Sequence, residues 1–254
     1  MKITFLGTGT SQGVPVIGCN CEVCSSLDFR DNRLRTSVHI AVKGKSFVID
    51  TGPDFRQQML RERIKHLDAV IYTHQHKDHI AGMDEVRSFN FKQGIDMPVY
   101  GTREVLQQLK KEFSYVFESE KYPGVPRIHI NEISNHPFKI GPVKFIPIRV
   151  MHFKMPVLGF RVQDFTYITD ANLIPESEIP KLMDSKVLVI NALQINKHIS
   201  HFNLEEALEV VELIQPQKAY FTHISHRLGL HSTVQRKLPD HVELAWDGLK
   251  LSID

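Results

Sequence analysis

The chain has 254 residues, of which 42% are hydrophobic and 24% charged, and its formal net charge at pH 7 is +2. These values are typical of a globular chain with one large core, and they exclude collagen, a coiled coil and extensive disorder. Acidic and basic residues are interleaved, so no cationic stripe predicts a stable complex with nucleic acid. We therefore predict one compact domain over residues 1–254 and a small binding partner.

Apolar runs of β type recur along the chain from residue 2, and helical segments separate them. One helical segment begins after Thr102 as N-cap, and another opens with an Asn203/Glu206 capping box and stops at Pro216. A further helix is predicted over 79–89. The predicted strands are "KITFL", "SVHIAV", "SFVID", "DAVIYT", "VKFIPIRV", "VLGFRV", "TYIT", "KVLVIN", "KAYFT" and "VELAW".

The first ten residues, "MKITFLGTGT", lack the apolar core of a secretory signal. No run approaches the roughly 20 apolar residues that cross a bilayer. We therefore expect a cytoplasmic protein without a membrane partner.

All three cysteines, Cys19, Cys21 and Cys24, fall in a loop over 18–25. An odd number of cysteines packed so closely, in a chain without an export signal, favours a metal site over a disulfide framework. Three thiolates leave one corner of a zinc tetrahedron open. A redox-active pair or buried thiols would be the alternative.

The segment "THQHKDH" places His74, His76, Asp78 and His79 directly after an apolar strand. Side chains two apart on a continuing strand point to opposite faces, so the chain must turn here to bring the histidines together. Four ligands in six residues crowd one metal ion. The pattern therefore predicts two ions, with His74 and His76 on one and Asp78 and His79 on the other.

Three further metal-binding side chains end predicted strands: His152, Asp170 and His223. Each one alone would usually be a turn residue. Together they supply the ligands that a two-metal site still needs.

The segment "THQHKDHIAG" resembles the T-H-x-H-x-D-H-x-x-G motif of the metallo-β-lactamase superfamily. The resemblance implies an αββα sandwich of two mixed β-sheets with helices on the outer faces. It also implies an aspartate, Asp50, that lies behind the ligands and orients one of them. The implied ligands are His74, His76 and His152 for one metal, Asp78, His79 and His223 for the other, and Asp170 as the bridge.

The N-terminal "LGTGTSQGVPVIGCNCEVC" is similar to the PhnP-type phosphodiesterases, which hydrolyse cyclic phosphates. That resemblance implies a structural zinc ion held by the three cysteines and His226, with His231 as the rival fourth ligand. Such a zinc ion would tie the N-terminal loop to the strand end that carries His223.

The function implied is hydrolysis of a small phosphodiester, with a cyclic ribose phosphate as the expected substrate, by a hydroxide that bridges two metals. The predicted catalytic residues are Asp78 and His201, the latter as proton donor to the leaving group. Manganese and zinc both suit the ligands of the two-metal site. Family resemblance suggests a homodimer.

Three alternatives stay open at this point. A tRNA 3'-processing endonuclease shares the chemistry, but its long RNA-binding arm does not fit in the 17 residues between His152 and Asp170. A protein of the pyrroloquinoline quinone pathway also combines the fold with a cysteine-rich zinc site. A non-catalytic metal-binding scaffold would be expected to lack ligands that this chain retains.

Overall fold

The structure, a computed structural model, describes residues 1–120 and 122–253. In these ranges the strands form two seven-stranded sheets, in the orders β14-β1-β2-β3-β4-β5-β6 and β13-β12-β11-β10-β9-β8-β7. The strands are β1 Lys2–Gly7, β2 Ser37–Val42, β3 Lys45–Ile49, β4 Ala69–Ile71, β5 Met97–Gly101, β6 Ile128–Glu132, β7 Phe138–Ile140, β8 Val143–His152, β9 Met155–Val162, β10 Phe165–Ile168, β11 Val187–Asn191, β12 Lys218–Thr222, β13 Val242–Leu244 and β14 Lys250–Ser252.

Three apolar clusters show how the layers stack. One contains side chains of both sheets, such as Phe47 and Phe160, and fills the space between them. The other two lie on the outer faces, where helices cover the sheets. The helices are α1 Phe55–Arg61, α2 Lys77–Ile80, α3 Arg87–Gln93, α4 Arg103–Glu112, α5 Ser114–Phe117, α6 Ile179–Leu182, α7 Leu204–Ile214 and α8 His231–Gln235. The predicted αββα sandwich of two mixed sheets is confirmed.

Parallel strands bring the polar strand ends together. Strands β3 to β6 run parallel in one sheet, and β10 to β13 run parallel in the other. Loops that follow the carboxyl ends of parallel strands collect at one edge of a sheet, where α/β proteins bind ligands. The segments after β3, β4, β10 and β12 all leave the sheets in this way.

The predicted helices with N-terminal caps are confirmed. Thr102 accepts a hydrogen bond from the Val105 N–H at the start of α4, and both halves of the Asn203/Glu206 capping box are present at α7. Caps are local interactions, so the sequence was sufficient to place them. All ten predicted strands are present, β2 and β12 with the predicted ends and the others with shifted ends, whereas the short strands β5, β6, β7 and β14 were not predicted.

The single helix predicted over 79–89 is wrong. The chain forms the short α2, a 3₁₀ turn over Met83–Val86, and then α3. At Gly82, between α2 and that turn, a Cβ atom would lie 2.2 Å from the Gly52 carbonyl oxygen, and the Gly82 N–H donates to the Thr51 carbonyl at 2.8 Å. This contact with a distant loop interrupts the helix.

None of the helices in the described part of the chain combines the length and the apolar character that a membrane-spanning segment needs.

Candidate metal centre

The histidine-rich turn is fixed by a buried carboxylate beneath it. Asp50 directly follows β3, and its two carboxylate oxygens accept hydrogen bonds from the backbone N–H and the hydroxyl of Thr73, each at 2.8 Å. The Thr73 hydroxyl also accepts from His74 Nδ1 at 2.9 Å. This chain of hydrogen bonds leaves the lone pair of His74 Nε2 free to point into the site.

His74, His76 and His152 form the first ligand group, with nitrogens within 4.8 Å of one another. His74 Nε2 lies 3.1 Å from His76 Nδ1. Two nitrogens at roughly right angles on one ion, with bonds of about 2.1 Å, are separated by about 3 Å. His152 Nδ1 donates to the Ser200 carbonyl at 2.8 Å, which leaves its Nε2 free to bind a metal ion.

Asp78, His79, Asp170 and His223 form the second group. Asp170 Oδ2 lies 3.1 Å from His223 Nε2, 3.4 Å from His79 Nε2 and 3.9 Å from His74 Nε2, so this one oxygen reaches both groups. Among the described residues, His79 Nε2 and His223 Nε2 are buried without a hydrogen-bond partner. Buried polar atoms are rarely left unpaired, and one divalent cation bound in this group would pair both nitrogens.

The electrostatics of the second group favour positive charge. Burial would raise the pKa of Asp170, but the nearby His223 and His79 hold that pKa well below its usual value. Burial would lower the pKa of His79, but the carboxylates around it, first Asp170, hold it well above its usual value. Anionic oxygens that stabilise a protonated histidine would also stabilise a bound cation.

Asp50 also contacts the second group from behind. Its Oδ2 accepts from His79 Nδ1 at 2.7 Å, which directs His79 Nε2 toward Asp78 and Asp170. The backbone of Asp50 is left-handed, with φ +64°, as is that of His223, with φ +54°. Such strained conformations recur at functional sites, and here both turn a side chain inward at a strand end.

His201 lies beside the two groups. Its Nε2 is 3.3 Å from Asp170 Oδ2, and its ring stacks on that of His223 with centroids 4.8 Å apart. Burial lowers the pKa of His201 to about 4, against the opposing effect of Asp170. His198, three residues earlier, approaches His201 Nδ1 at 3.2 Å from the exposed side.

The three cysteines converge on His226. Their Sγ atoms lie 3.3, 3.4 and 3.4 Å from His226 Nδ1, in the order Cys19, Cys21, Cys24. A zinc tetrahedron with bonds of about 2.3 Å to sulfur and about 2.0 Å to nitrogen separates these atoms by about 3.5 Å. The Cys24 backbone N–H and His226 lower the pKa of Cys21 to about 6, which favours the thiolate that zinc binds.

His231, the rival fourth ligand, lies elsewhere. Its Nδ1 contacts the Arg33 guanidinium at 3.1 Å, and its ring packs edge-on against Trp246. Arg33 is buried and also donates to Thr8 and to the Ala245 carbonyl, so this pair supports the fold.

The structure thus brings every residue of the predicted two-metal site into one cluster, and it places the three predicted thiols around His226 in a second. Sequence reasoning missed Thr73 and Ser200. Thr73 belongs to the motif that contains His74, so its position was a usable signal. Ser200 contributes a backbone carbonyl, which no side-chain pattern could have revealed.

The family model of the β-lactamase superfamily domain matches residues 45–224. The chain belongs to the metallo-β-lactamase superfamily. It is similar to a protein whose solved structure is described as a new diphosphatase from the PhnP family. The two sequences are 39% identical, the match covers 100% of this chain and 98% of the other, and the TM-score is 0.93. Within the superfamily, this similarity assigns the chain to the PhnP family.

Two further relatives are informative. The chain is 38% identical, over its whole length, to an octanoyltransferase of Porphyromonas gingivalis, but it spans only 52% of that protein, about half its length. The Zn²⁺-bound PqqB structure of Methylobacterium extorquens is 17% identical, with a TM-score of 0.80 and complete coverage of both chains. At that identity the similarity shows the shared fold alone.

Proposed function

We propose that this protein is a dinuclear metal-dependent hydrolase of small phosphodiesters. The observation that carries the proposal is the position of Asp170 Oδ2, which lies within 3.9 Å of nitrogens in both ligand groups. A shared carboxylate oxygen suits two adjacent cations better than one. The assignment follows from it: His74, His76 and His152 hold one ion, Asp78, His79 and His223 hold the other, and Asp170 bridges them.

Two divalent metals, when bound in such a site, activate water and neutralise charge that builds on phosphoryl oxygens. The protein's own part is orientation. Asp50 fixes His79, the Thr73 hydroxyl fixes His74, and the Ser200 carbonyl fixes His152, so each ring presents one chosen nitrogen. In this proposal His201 delivers a proton to the oxygen of the leaving group, which requires that the negative charge of the bound phosphate raise the pKa of His201 from about 4.

A small substrate is supported by the connection between two of the ligands. Residues 153–169 consist of β9, β10, two-residue turns at 153–154 and 163–164, and Thr169, and they contain no inserted arm that could hold a tRNA. We therefore favour a low-molecular-weight diester over an RNA substrate. A cyclic ribose phosphate is such a diester. A diphosphate is a phosphoanhydride, whose hydrolysis uses the same displacement at phosphorus, and the similarity to a PhnP-family diphosphatase supports it.

An acyl thioester is the second candidate substrate. It is motivated by the Porphyromonas gingivalis octanoyltransferase, of which this chain corresponds to about half. A metal centre that stabilises oxyanions can promote attack by water on phosphorus or on the carbonyl carbon of an acyl group.

The deciding experiment is a substrate panel with metal-defined protein. Protein loaded with manganese or zinc is assayed with bis(p-nitrophenyl) phosphate, a 2',3'-cyclic nucleotide, a dinucleoside diphosphate and octanoyl-coenzyme A. We expect cleavage of phosphate substrates that disappears on chelation and returns with metal. Turnover of octanoyl-coenzyme A alone would select the acyl candidate, and full metal occupancy without any turnover would indicate a scaffold.

His201→Gln tests the proton donor. The loss in kcat should be about 10²-fold for a 2',3'-cyclic nucleotide, whose alkoxide needs a proton, and below about fivefold for a p-nitrophenyl leaving group, which does not. His241→Gln provides the control and should change neither rate, because His241 is exposed and precedes β13, at the opposite end of the parallel strands from the site. Equal losses on both substrates would show that His201 instead positions Asp170.

A further inference from the structure

One residue beside the metal centre conflicts with its own backbone. Phe153 occupies the first position of the two-residue turn between β8 and β9, where His152 pairs with Met155. Its φ is +56°, in the left-handed region. Such turn positions favour glycine, asparagine or aspartate, and a bulky aromatic residue is strained there. Turn formation therefore does not explain why this residue is phenylalanine.

Phe153 is also exposed, and two other apolar side chains near it are exposed as well. The exposed fractions are 47% for Phe153, 53% for Leu173 and 68% for Ile199. Lys154 Nζ lies over the Phe153 ring, 5.3 Å from its centroid. We refer to these three apolar residues, Phe153, Leu173 and Ile199, as the apolar rim.

Backbone contacts hold the rim at the strand end that carries His152. The Phe153 N–H donates to Asn172 Oδ1 at 2.6 Å, and the Met151 N–H donates to the Leu173 carbonyl at 2.9 Å. Ile199 precedes Ser200, whose carbonyl accepts from His152 Nδ1. All three rim residues are thus tied to the last residues of β8 or to the turn that follows.

The metal cluster is open beside the strand end to which the rim residues are tied. His74 and His79 are buried, whereas His76 is exposed, and its ring lies 5.0 Å from that of His152. Phe153 directly follows His152. Single exposed apolar residues are common, but several that share one strand end at the opening of a reactive site mark a binding surface.

We propose that the apolar rim is a subsite for an alkyl or aryl substituent of the substrate, with the phosphate group at the metal centre. The proposal rests on the proposed function for the placement of the phosphate group. It makes Phe153 a specificity-determining residue, because glycine or another small turn residue would relieve the backbone strain but would not offer this apolar surface. A substrate of this class is a phosphate ester with an apolar group of several carbons.

The test compares the affinities of methyl phosphate and octyl phosphate for the zinc-loaded protein by titration calorimetry, below the micelle concentration. Each methylene removed from water contributes about fourfold in affinity, so burial of three gives a ratio of about 60. Phe153→Gly should reduce this ratio to about 10 or less, since most of the aromatic surface is lost. Metal content is measured for each variant.

Gln163→Gly is the matched control. Gln163 takes the same first position in the turn between β9 and β10, with φ +53°, away from the rim. Glycine adopts this backbone without steric cost, so neither variant should lower the melting temperature. Gln163→Gly should keep the wild-type ratio.

A wild-type ratio near one, or an unchanged ratio in Phe153→Gly, would overturn the subsite. A dimer in sedimentation that dissociates in Phe153→Gly, with the ratio unchanged, would instead assign the rim to an interface between copies. Because binding is measured without turnover, a high ratio in a protein that cleaves no diester would reject the proposed function and leave the subsite standing.

Discussion

Asp78→Asn is expected to reduce phosphodiester hydrolysis by more than about 10³-fold and to lower the metal content below two ions per active site. Asp78 Oδ2 lies 3.3 Å from His79 Nε2 and 3.9 Å from His223 Nε2. Asparagine keeps the shape but removes the negative charge. The second cation would then face two neutral imidazoles and one shared carboxylate, which is a weaker donor set.

The fold should survive this substitution. In the described part of the chain, the Asp78 carboxylate makes its ion-pair contacts only with His79 and His223 of the proposed site. Burial would raise the pKa of Asp78, but these two histidines hold it below its usual value, so the melting temperature in the presence of chelator should fall slightly while unfolding stays cooperative. The measurements are kcat/KM on bis(p-nitrophenyl) phosphate, metal analysis after dialysis, and thermal unfolding.

Asp84→Asn is the control for Asp78→Asn. Asp84 is a nearby acidic residue that contacts Tyr115 and Arg87 at the surface. The Asp84→Asn protein should retain full activity and metal content. An Asp78→Asn protein that kept both ions and its rate would refute the ligand assignment.

The second large effect concerns the cysteine cluster. Cys21→Ser should abolish zinc binding at this cluster and lower the melting temperature by about 8–16 °C. A metal ion present at about 1,000 times its dissociation constant stabilises the folded protein by about 4 kcal/mol. Each kcal/mol shifts the melting temperature by about 2–4 °C. Cys21 is exposed, so the change creates no cavity. Differential scanning calorimetry and zinc analysis measure the two effects.

Activity should fall together with this zinc ion. His226 is three residues beyond His223, and Ile224 pairs with Gly9 of the N-terminal segment. Loss of the zinc would release that segment and loosen the strand end that carries His223. His231→Gln serves as the control: it should keep the zinc, even if the lost contact with Arg33 lowers stability. Zinc loss in His231→Gln but not in His226→Gln would reverse the assignment.

Local patterns were the parts of the fold that the sequence predicted well. The caps at Thr102 and Asn203 involve residues at most three positions apart, so their hydrogen bonds do not depend on tertiary structure. The short edge elements were missed for the opposite reason. Strand β6, Ile128–Glu132, has no buried residue and only two apolar ones, an alternation too short to identify a strand, and pairing with β5 makes it one.

The helix break at Gly82 shows the same limit. Residues 79–89 carry a helical pattern, and glycine by itself only weakens a helix. The break requires the Gly52 carbonyl, thirty residues earlier, at a distance that excludes a Cβ atom. Contacts of this kind depend on how two loops pack, and no short segment of the sequence contains both loops.

The sequence by itself determined the chemistry that is available: a histidine-rich turn after a strand, three clustered thiols, and polar residues at the ends of apolar strands. These signals can be recognised in the sequence because residue types and short spacings do not depend on tertiary structure. Tertiary structure alone decided that Asp170 Oδ2 reaches both ligand groups, that His226 rather than His231 meets the thiols, and that Phe153 stands exposed in a strained turn. Each depends on distances between segments far apart in sequence, which are fixed only when the two sheets pack.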